Sequence, residues 1–233
     1  MKLNDRTETV PAYIINKNVF DGLPALVKDI KRIGCGPIII IDNGSTYPPL
    51  LEWYKTLTDI LVIDNGVCSS RGSFKVIDSE HLCQPYVLTD SDLDLSSVPD
   101  DVIEILKKGL QKYPWSIKVG LSLEINDLPD HYPHKDKVIE WESKFWKNRL
   151  DSDFWKAEID TTFALYRGIG IIPTRFENSI RVDRPYTAKH RPWYINPDNM
   201  TEEYKYLLSK PIVGEGTWTS RHQLFLNNKG EKI

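Results

Sequence analysis

Apolar and polar positions alternate along the first hundred residues in blocks that predict strands and helices in turn. Pro11–Ile15 is a short apolar run closed by Asn16-Lys17-Asn18. Phe20, Leu23, Leu26, Val27, Ile30 and Ile33 then recur at helical spacing, and Gly34 and Gly36 stop the pattern. Ile38–Ile41 is an unbroken β-branched run, as in a strand buried on both faces, and it ends in Asp42-Asn43-Gly44-Ser45-Thr46. Pro48–Leu57 predicts a second helix. Ile60–Ile63 predicts a third strand, ending in Asp64-Asn65-Gly66, and Tyr86–Thr89 a fourth, ending in Asp90-Ser91-Asp92. Asp100–Tyr113 has the pattern of an amphipathic helix.

This is a βαβαβ order with polar clusters where the strands end. In open α/β sheets, ligands bind in the crevice at the carboxyl ends of the strands. Any one cluster would serve as a turn or a helix cap. Clusters at three successive strand ends point instead to a site.

The second half is less regular. Ile117–Glu124 predicts a strand, Asn126–His134 an irregular loop and Lys137–Phe145 a helix. Ala157–Tyr166 predicts a strand that Gly168 and Gly170 end. From Arg181 onward the chain is aromatic, basic and rich in proline. Four of the seven tryptophans (Trp141, Trp146, Trp155 and Trp193) fall between 141 and 193. An exposed indole can stack on the C–H face of a sugar, whereas a buried one packs a core. The sequence leaves both roles open.

Composition narrows the setting. The 233 residues suit a single domain over 1–233, read in two parts at about 10–115 and about 116–233. A net charge of -3 gives no reason to expect a nucleic-acid or membrane-surface partner. Cys35, Cys68 and Cys83 lack metal-ligand spacing and read as buried, reduced thiols of a cytoplasmic protein. No apolar run approaches the roughly 18 residues of a membrane span, and the polar N-terminus does not resemble a signal peptide. Nothing in the sequence fixes the oligomeric state.

The densest chemistry lies in Tyr86-Val87-Leu88-Thr89-Asp90-Ser91-Asp92. A buried strand delivers two carboxylates, one residue apart, to a loop. Such a pair suits a hard divalent ion, Mn2+ or Mg2+, which also takes phosphate oxygens. A second constellation runs from Arg181 to Tyr194. There Arg184, Lys189 and Arg191 are candidates to neutralise a leaving diphosphate.

The run into Asp42-Asn43-Gly44-Ser45-Thr46, followed by Leu88-Thr89-Asp90-Ser91-Asp92, resembles the two nucleotide-sugar motifs of family-2-like glycosyltransferases of the GT-A fold. The likeness covers roughly residues 10–110. It implies an α/β fold with a mixed, mostly parallel central sheet flanked by helices. It also implies inverting transfer from a nucleoside diphosphate sugar, by default uridine-linked, to a carbohydrate or glycoconjugate acceptor. Carried over, the first strand end meets the nucleoside around Ala12–Ile15, including Ile14 and Ile15. Asp42, with Asn43 beside it, meets the base, and Arg71 lies beside the donor. Asp90 and Ser91 bind the nucleotide, and Asp90 and Asp92 hold the metal, with His190 as a late third ligand. Arg191 and Trp193 fall on the diphosphate and acceptor side.

The family's adjacent acidic pair is split here into Glu158-Ile159-Asp160. Asp160 is the preferred general base, with Asp127 and Glu142 as alternatives. A nucleotidyltransferase is the runner-up, though the chain lacks the glycine-rich triphosphate loop such an enzyme needs. A non-catalytic carbohydrate-binding protein is a third reading. G-x-S-x-G and P-loop motifs are absent.

Overall fold

The computed structural model describes residues 9–66, 76–77, 83–168 and 178–209. The chain opens with strand β1 (Val10–Asn16), helix α1 (Leu23–Arg32), β2 (Cys35–Asp42), α2 (Pro48–Lys55) and β3 (Leu61–Asp64). After β4 (Tyr86–Asp90) come the two-residue β5 (Leu93–Asp94) and helix α3 (Val102–Lys112). The second half holds β6 (Lys118–Gly120), β7 (Ser122–Leu123), α4 (Lys135–Glu142), β8 (Phe154–Lys156) and β9 (Ala164–Tyr166). It closes with β10 (Ser179–Val182), β11 (Thr187–His190) and α5 (Glu202–Leu208).

Eight strands form one sheet in the order β3-β2-β1-β4-β9-β6-β10-β8, and β5-β11-β7 form a small second sheet. In the large sheet β9 and β8 run against the other strands. The fold is therefore α/β with a mixed, mostly parallel central sheet and flanking helices, as expected. Among the described residues no helix is long and apolar enough to cross a membrane.

Burial on both faces explains the continuous apolar strands. Ala12 and Ile14 of β1, with Ile38 and Ile40 of β2, pack on one face against Leu23, Leu26 and Ile30 of α1 and Leu106 of α3. Tyr13, Ile15, Ile39 and Ile41 point to the other face and pack with Tyr86, Leu88 and Tyr166. At roughly 1.5–3 kcal/mol per fully buried aliphatic side chain, these two layers are the main favourable term of the fold.

Two expectations need correction, and the region after Arg181 proves to hold strands on which the pattern was silent. Ala157–Tyr166 is a strand only over Ala164–Tyr166; residues 157–163 form a loop. That loop puts Ile159 and Phe163 into the core while its polar residues bond neighbouring strands, so alternation arose without strand pairing. The region after Arg181 carries a strand, β11, and Arg181 itself lies in β10. Cys83 is exposed rather than buried. Cys35 is buried, which pushes its thiol pKa up to about 12 and keeps it protonated.

Candidate functional site

The parallel register aligns the strand ends in a row. Asn16 of β1 stands beside Asp42 of β2, Asp42 beside Asp64 of β3, and Ile15 beside Asp90 of β4. The hydrophobic strands thus deliver an amide and several carboxylates to one edge of the sheet.

At this edge Asp42 is buried and well satisfied. One carboxylate oxygen accepts from the Ser45 amide at 2.7 Å, and the other from the Ser45 hydroxyl at 2.5 Å and the Tyr54 hydroxyl at 2.9 Å. Tyr54 in turn accepts from Asn16 Nδ2 at 2.7 Å. A carboxylate has about four acceptor positions, so these donors leave room for about one more. Asn43 accepts from the Asn65 amide at 2.9 Å. Asn18 accepts from the Thr46 and Tyr47 backbone amides at 2.6 and 2.9 Å and so ties the loops after β1 and β2 together. Ile14 and Ile15 are core residues on opposite faces, so their side chains are turned away from the edge. Asn16 is the β1 residue that reaches it, and sequence reasoning did not single it out.

Asp90 ends β4 and is locked to the 157–163 loop. Its amide donates to the Thr161 carbonyl at 2.9 Å, and its Oδ2 accepts from the Thr161 hydroxyl at 2.6 Å. The chain turns at buried Ser91 and enters β5, which pairs antiparallel with β11. That pairing sets Leu93 opposite His190, and the backbone of Arg191 donates to the Asp92 carbonyl at 2.9 Å. His190 Nε2 consequently sits 3.4 Å from Asp92 Oδ2. The sequence-predicted metal ligands Asp92 and His190, almost a hundred positions apart, are thereby neighbours. His190 Nδ1 is buried without a hydrogen-bond partner among the described residues, and its ring meets the Trp193 ring at 4.7 Å.

Two carboxylates and an imidazole form a donor set that suits Mn2+ or Mg2+. Among the described residues, however, no three His, Cys, Asp or Glu side chains stand in metal-binding geometry. Asp92 and His190 are together, while one Asp90 oxygen is turned to Thr161. The residues present fit such an ion as a pair rather than as an assembled triad.

A charged layer lies behind this loop. Lys118 of β6 is 2% exposed, yet it donates to the Asp160 carbonyl at 2.9 Å and to the Tyr166 hydroxyl at 3.2 Å. Burial pulls its ammonium pKa down to about 8; the Asp160 and Asp90 charges push the other way and Arg181 adds to the fall. Arg181 donates to Glu142 at 2.7 Å and to the Glu158 carbonyl at 2.8 Å, with its guanidinium 4.1 Å from the Phe145 ring centroid. Burial raises the Glu142 pKa, and the Arg181 charge and hydrogen bond hold it back. Glu142 also feels the charges of Asp160 and His190, so these groups share one electrostatic neighbourhood. Lys118, Arg181 and Thr161 were missed as site residues. Buried charge has no local sequence signature, and each reads as a surface residue.

Asp160 itself is exposed, and one of its oxygens accepts from the Thr162 amide and hydroxyl at 3.1 and 2.9 Å. Of the alternative bases, Glu142 is buried in its ion pair. Asp127 bonds Lys189 and Tyr194; partial burial would raise its pKa, but those hydrogen bonds outweigh burial and lower it.

The acceptor-side expectations shift. Trp193 is 2% exposed and packs in the core, so a wall of exposed indoles does not include it. Trp141 on α4 is exposed instead, with its ring edge toward Phe145 and the Lys144 ammonium 4.4 Å from its centroid. Arg191 lies across Gly22 and donates to the Leu93 carbonyl at 3.2 Å, with Asp94 at 3.7 Å. A Cβ at Gly22 would stand 2.2 Å from Arg191 Nε, so a side chain there would displace the guanidinium from this position. Arg184 pairs with Glu124 and stacks over Trp146. Arg71 lies outside the described residues.

No family model and no curated protein matches the chain. Solved structures do match in part. One described as a mycobacterial protein is similar over 75% of this chain and 65% of its own, at 11% identity and a TM-score of 0.40. TarS from S. aureus is similar over 69% of this chain and 47% of its own, at 10% identity and a TM-score of 0.40. Glucosyl-3-phosphoglycerate synthase from Mycobacterium tuberculosis, solved with Mn2+, uridine diphosphate and phosphoglyceric acid, is similar over 68% of this chain and 56% of its own. Its identity is 12% and its TM-score 0.38. The chain thus spans between about half and two-thirds of the length of these structures.

Proposed function

We propose that this chain is a glycosyltransferase that moves a sugar from a nucleoside diphosphate sugar, in the first instance a uridine one, to a hydroxyl of a carbohydrate or glycoconjugate acceptor. The observation that carries the reading is the junction at Asp90. A parallel-strand edge lined by Asn16, Asp42 and Asp64 ends at the Asp90-Ser91-Asp92 turn, and Thr161 bonds that turn one residue from exposed Asp160. On this reading the donor's place at the Asp90 turn lies beside a second carboxylate.

In this reading the sheet edge takes the nucleoside, with Asp42 accepting from a ring N–H of the base. Asp92 and His190, with Asp90, would hold Mn2+ or Mg2+, an ion that would supply positive charge against a departing diphosphate. Asp160 takes the proton of the acceptor hydroxyl as its oxygen attacks the anomeric carbon. The bond to the diphosphate oxygen breaks with inversion. A base in this role must lie within hydrogen-bond reach of the hydroxyl, and exposed Asp160 is open to an acceptor where buried Glu142 is not. The 116–209 region supplies the acceptor side, with Trp141 as an exposed stacking face.

A nucleotidyltransferase is disfavoured by the loop after β1. Asn18 fills that loop through its own bonds to Thr46 and Tyr47, where a glycine cradle for a triphosphate would be needed.

The test is calorimetric titration of uridine diphosphate with Mn2+ and with EDTA. Binding is expected with Mn2+ and is expected to be lost in EDTA and in Asp92→Asn, because an amide is a poorer metal ligand than a carboxylate. Equal affinity in EDTA overturns the metal assignment. No affinity for any nucleoside diphosphate overturns the reading as a whole.

A further inference from the structure

We propose that Lys118 is a positioning residue of this site, holding the main chain at Asp160 so that the loop carrying the base stays docked beside Asp90. The inference rests on the glycosyltransferase reading for the role of Asp160, while the docking itself rests on the structure alone.

Residues 157–163 have no regular structure, yet their carbonyls are pinned one after another from three different strands. The Ala157 carbonyl accepts from Ser179 at 2.8 Å and the Glu158 carbonyl from Arg181 at 2.8 Å, both on β10. The Asp160 carbonyl accepts from Lys118 of β6 at 2.9 Å, and the Thr161 carbonyl from the Asp90 amide of β4 at 2.9 Å. The tether at the base's own residue is therefore the lysine. Strand register puts it there, since Lys118 pairs with Tyr166 on one side and Ser179 on the other.

Packing alone does not account for a lysine at this position. Its side chain is 2% exposed, and an apolar side chain of similar length would fill the space without the cost of desolvating an ammonium. A cation here supplies what Met does not, a charged donor to a main-chain oxygen. A close approach next door confines the loop further. A Cβ at Gly120 would stand 2.7 Å from the Phe163 carbonyl, so β6 and the loop can meet only with glycine there. Lys118 and Gly120, two residues apart on β6, thus act on the two ends of one short segment.

The experiment compares wild type, Lys118→Met, Lys118→Arg and Thr161→Val in the full chain. Its readouts are uridine diphosphate binding with Mn2+, release of uridine diphosphate from a panel of uridine diphosphate sugars, and amide exchange across 157–163. Misplacing a reacting group by about 1 Å costs on the order of 100-fold in rate. Lys118→Met is expected to bind uridine diphosphate as wild type does and to lose kcat by about that factor, with donor KM unchanged. Its loop amides should exchange faster while those of β6 and β9 do not. Lys118→Arg keeps a donor and should restore part of kcat, and Thr161→Val removes the hydroxyl tether to Asp90 and should loosen the same amides. Wild-type kcat with unchanged loop exchange in Lys118→Met overturns the proposal. So does a loss of exchange protection throughout the sheet, which would make Lys118 a general core residue. If Lys118→Met does not fold, Lys118→Arg and Thr161→Val decide: loop protection equal to wild type in Thr161→Val, or no turnover in a folded Lys118→Arg, counts against it. If the wild type neither binds nor turns over, the glycosyltransferase reading falls, and loop exchange still decides whether Lys118 docks the loop.

Discussion

The two halves of the molecule bury polarity in different ways. In the half up to about residue 115, the buried polar side chains at the strand ends are neutral apart from one carboxylate: Asn16, Asn18, Asn43 and Ser91 beside Asp42's own partners Ser45 and Tyr54. In the half from about 116, full charges are buried: Lys118, Glu142, Arg181 and Glu203. The first arrangement ties the loops after β1, β2 and β3 to one another and to α2, all before Gly66. The second holds together elements far apart in sequence. Glu203, for example, accepts the Phe20 and Asp21 amides at 2.5 and 2.6 Å and ties α5 back to the start of α1. On the proposed function, a cradle for a donor and a charged layer behind the base place different demands on the same sheet.

The largest expected effect tests the charged half directly. Asp160→Asn should lower turnover by about 10²- to 10⁴-fold, the usual loss on removing a general base. Uridine diphosphate affinity should stay at the wild-type level, because the donor edge is built from other strands. Steady-state rates and calorimetry on one preparation check both halves of the statement. Equal losses of rate and donor affinity would merge the two regions into one site and break the comparison.

Next comes Arg181→Met, which should destabilise by about 3–5 kcal/mol because it strands the Glu142 carboxylate in the core. Glu142→Gln should cost less, since Arg181 keeps its bond to the Glu158 carbonyl. Arg181→Met with Glu142→Leu should recover much of the loss, as a packed apolar pair replaces the buried ion pair. Urea midpoints of the three variants measure this. Additive losses in the double variant would show that the charges act independently.

A smaller effect is expected on the donor side. Asp42→Ala removes an acceptor for Ser45 and Tyr54 and should cost about 1–3 kcal/mol of stability. It should weaken uridine diphosphate binding while leaving Mn2+ binding to the Asp92 region in place. Metal binding lost along with the nucleotide would contradict the division of labour between β2 and β4.

The same contrast explains what the sequence disclosed. The first half was legible because burial on both faces writes itself as Ile38–Ile41, and because each strand ends abruptly in Asp or Asn. Asp92 and His190 were grouped through the family resemblance, and it is β5–β11 pairing that brings them within 3.4 Å. The second half hid its chemistry. The Lys118 and Arg181 side chains carry no local mark of burial, since their partners come from strands dozens of residues away. Trp193 could not be told from a sugar platform, because an indole alone does not say which way it faces. Residues 157–163 looked like a strand because a pinned loop can alternate inward and outward as a strand does.

The seam between the halves gives the smallest and most local prediction. Asp151, just before β8, accepts from Lys112 and Tyr113 at the end of α3, at 2.6 and 2.5 Å, and from the amides of Asp153 and Phe154 at 2.7 and 3.0 Å. Partial burial alone would raise its pKa, but the hydrogen bonds from Lys112, Tyr113 and the Asp153 amide, with the Lys112 charge, outweigh it and hold the value at about 2. An unfolded aspartate titrates near 3.9. The folded state therefore binds this proton more weakly than the unfolded one. Its contribution to stability is full above about pH 4 and fades as pH falls towards about 2. Asp151→Asn should cost about 1–2 kcal/mol at neutral pH, since the amide still offers one acceptor oxygen to the amides of the turn. It should also flatten the fall in stability between about pH 4 and 2, because the titrating group is gone. Urea midpoints at several pH values for both proteins test this. A variant with wild-type stability at neutral pH and the same acid slope would mean that α3 and β8 are held together by the core alone, and the seam would then belong to the apolar layer that both halves share.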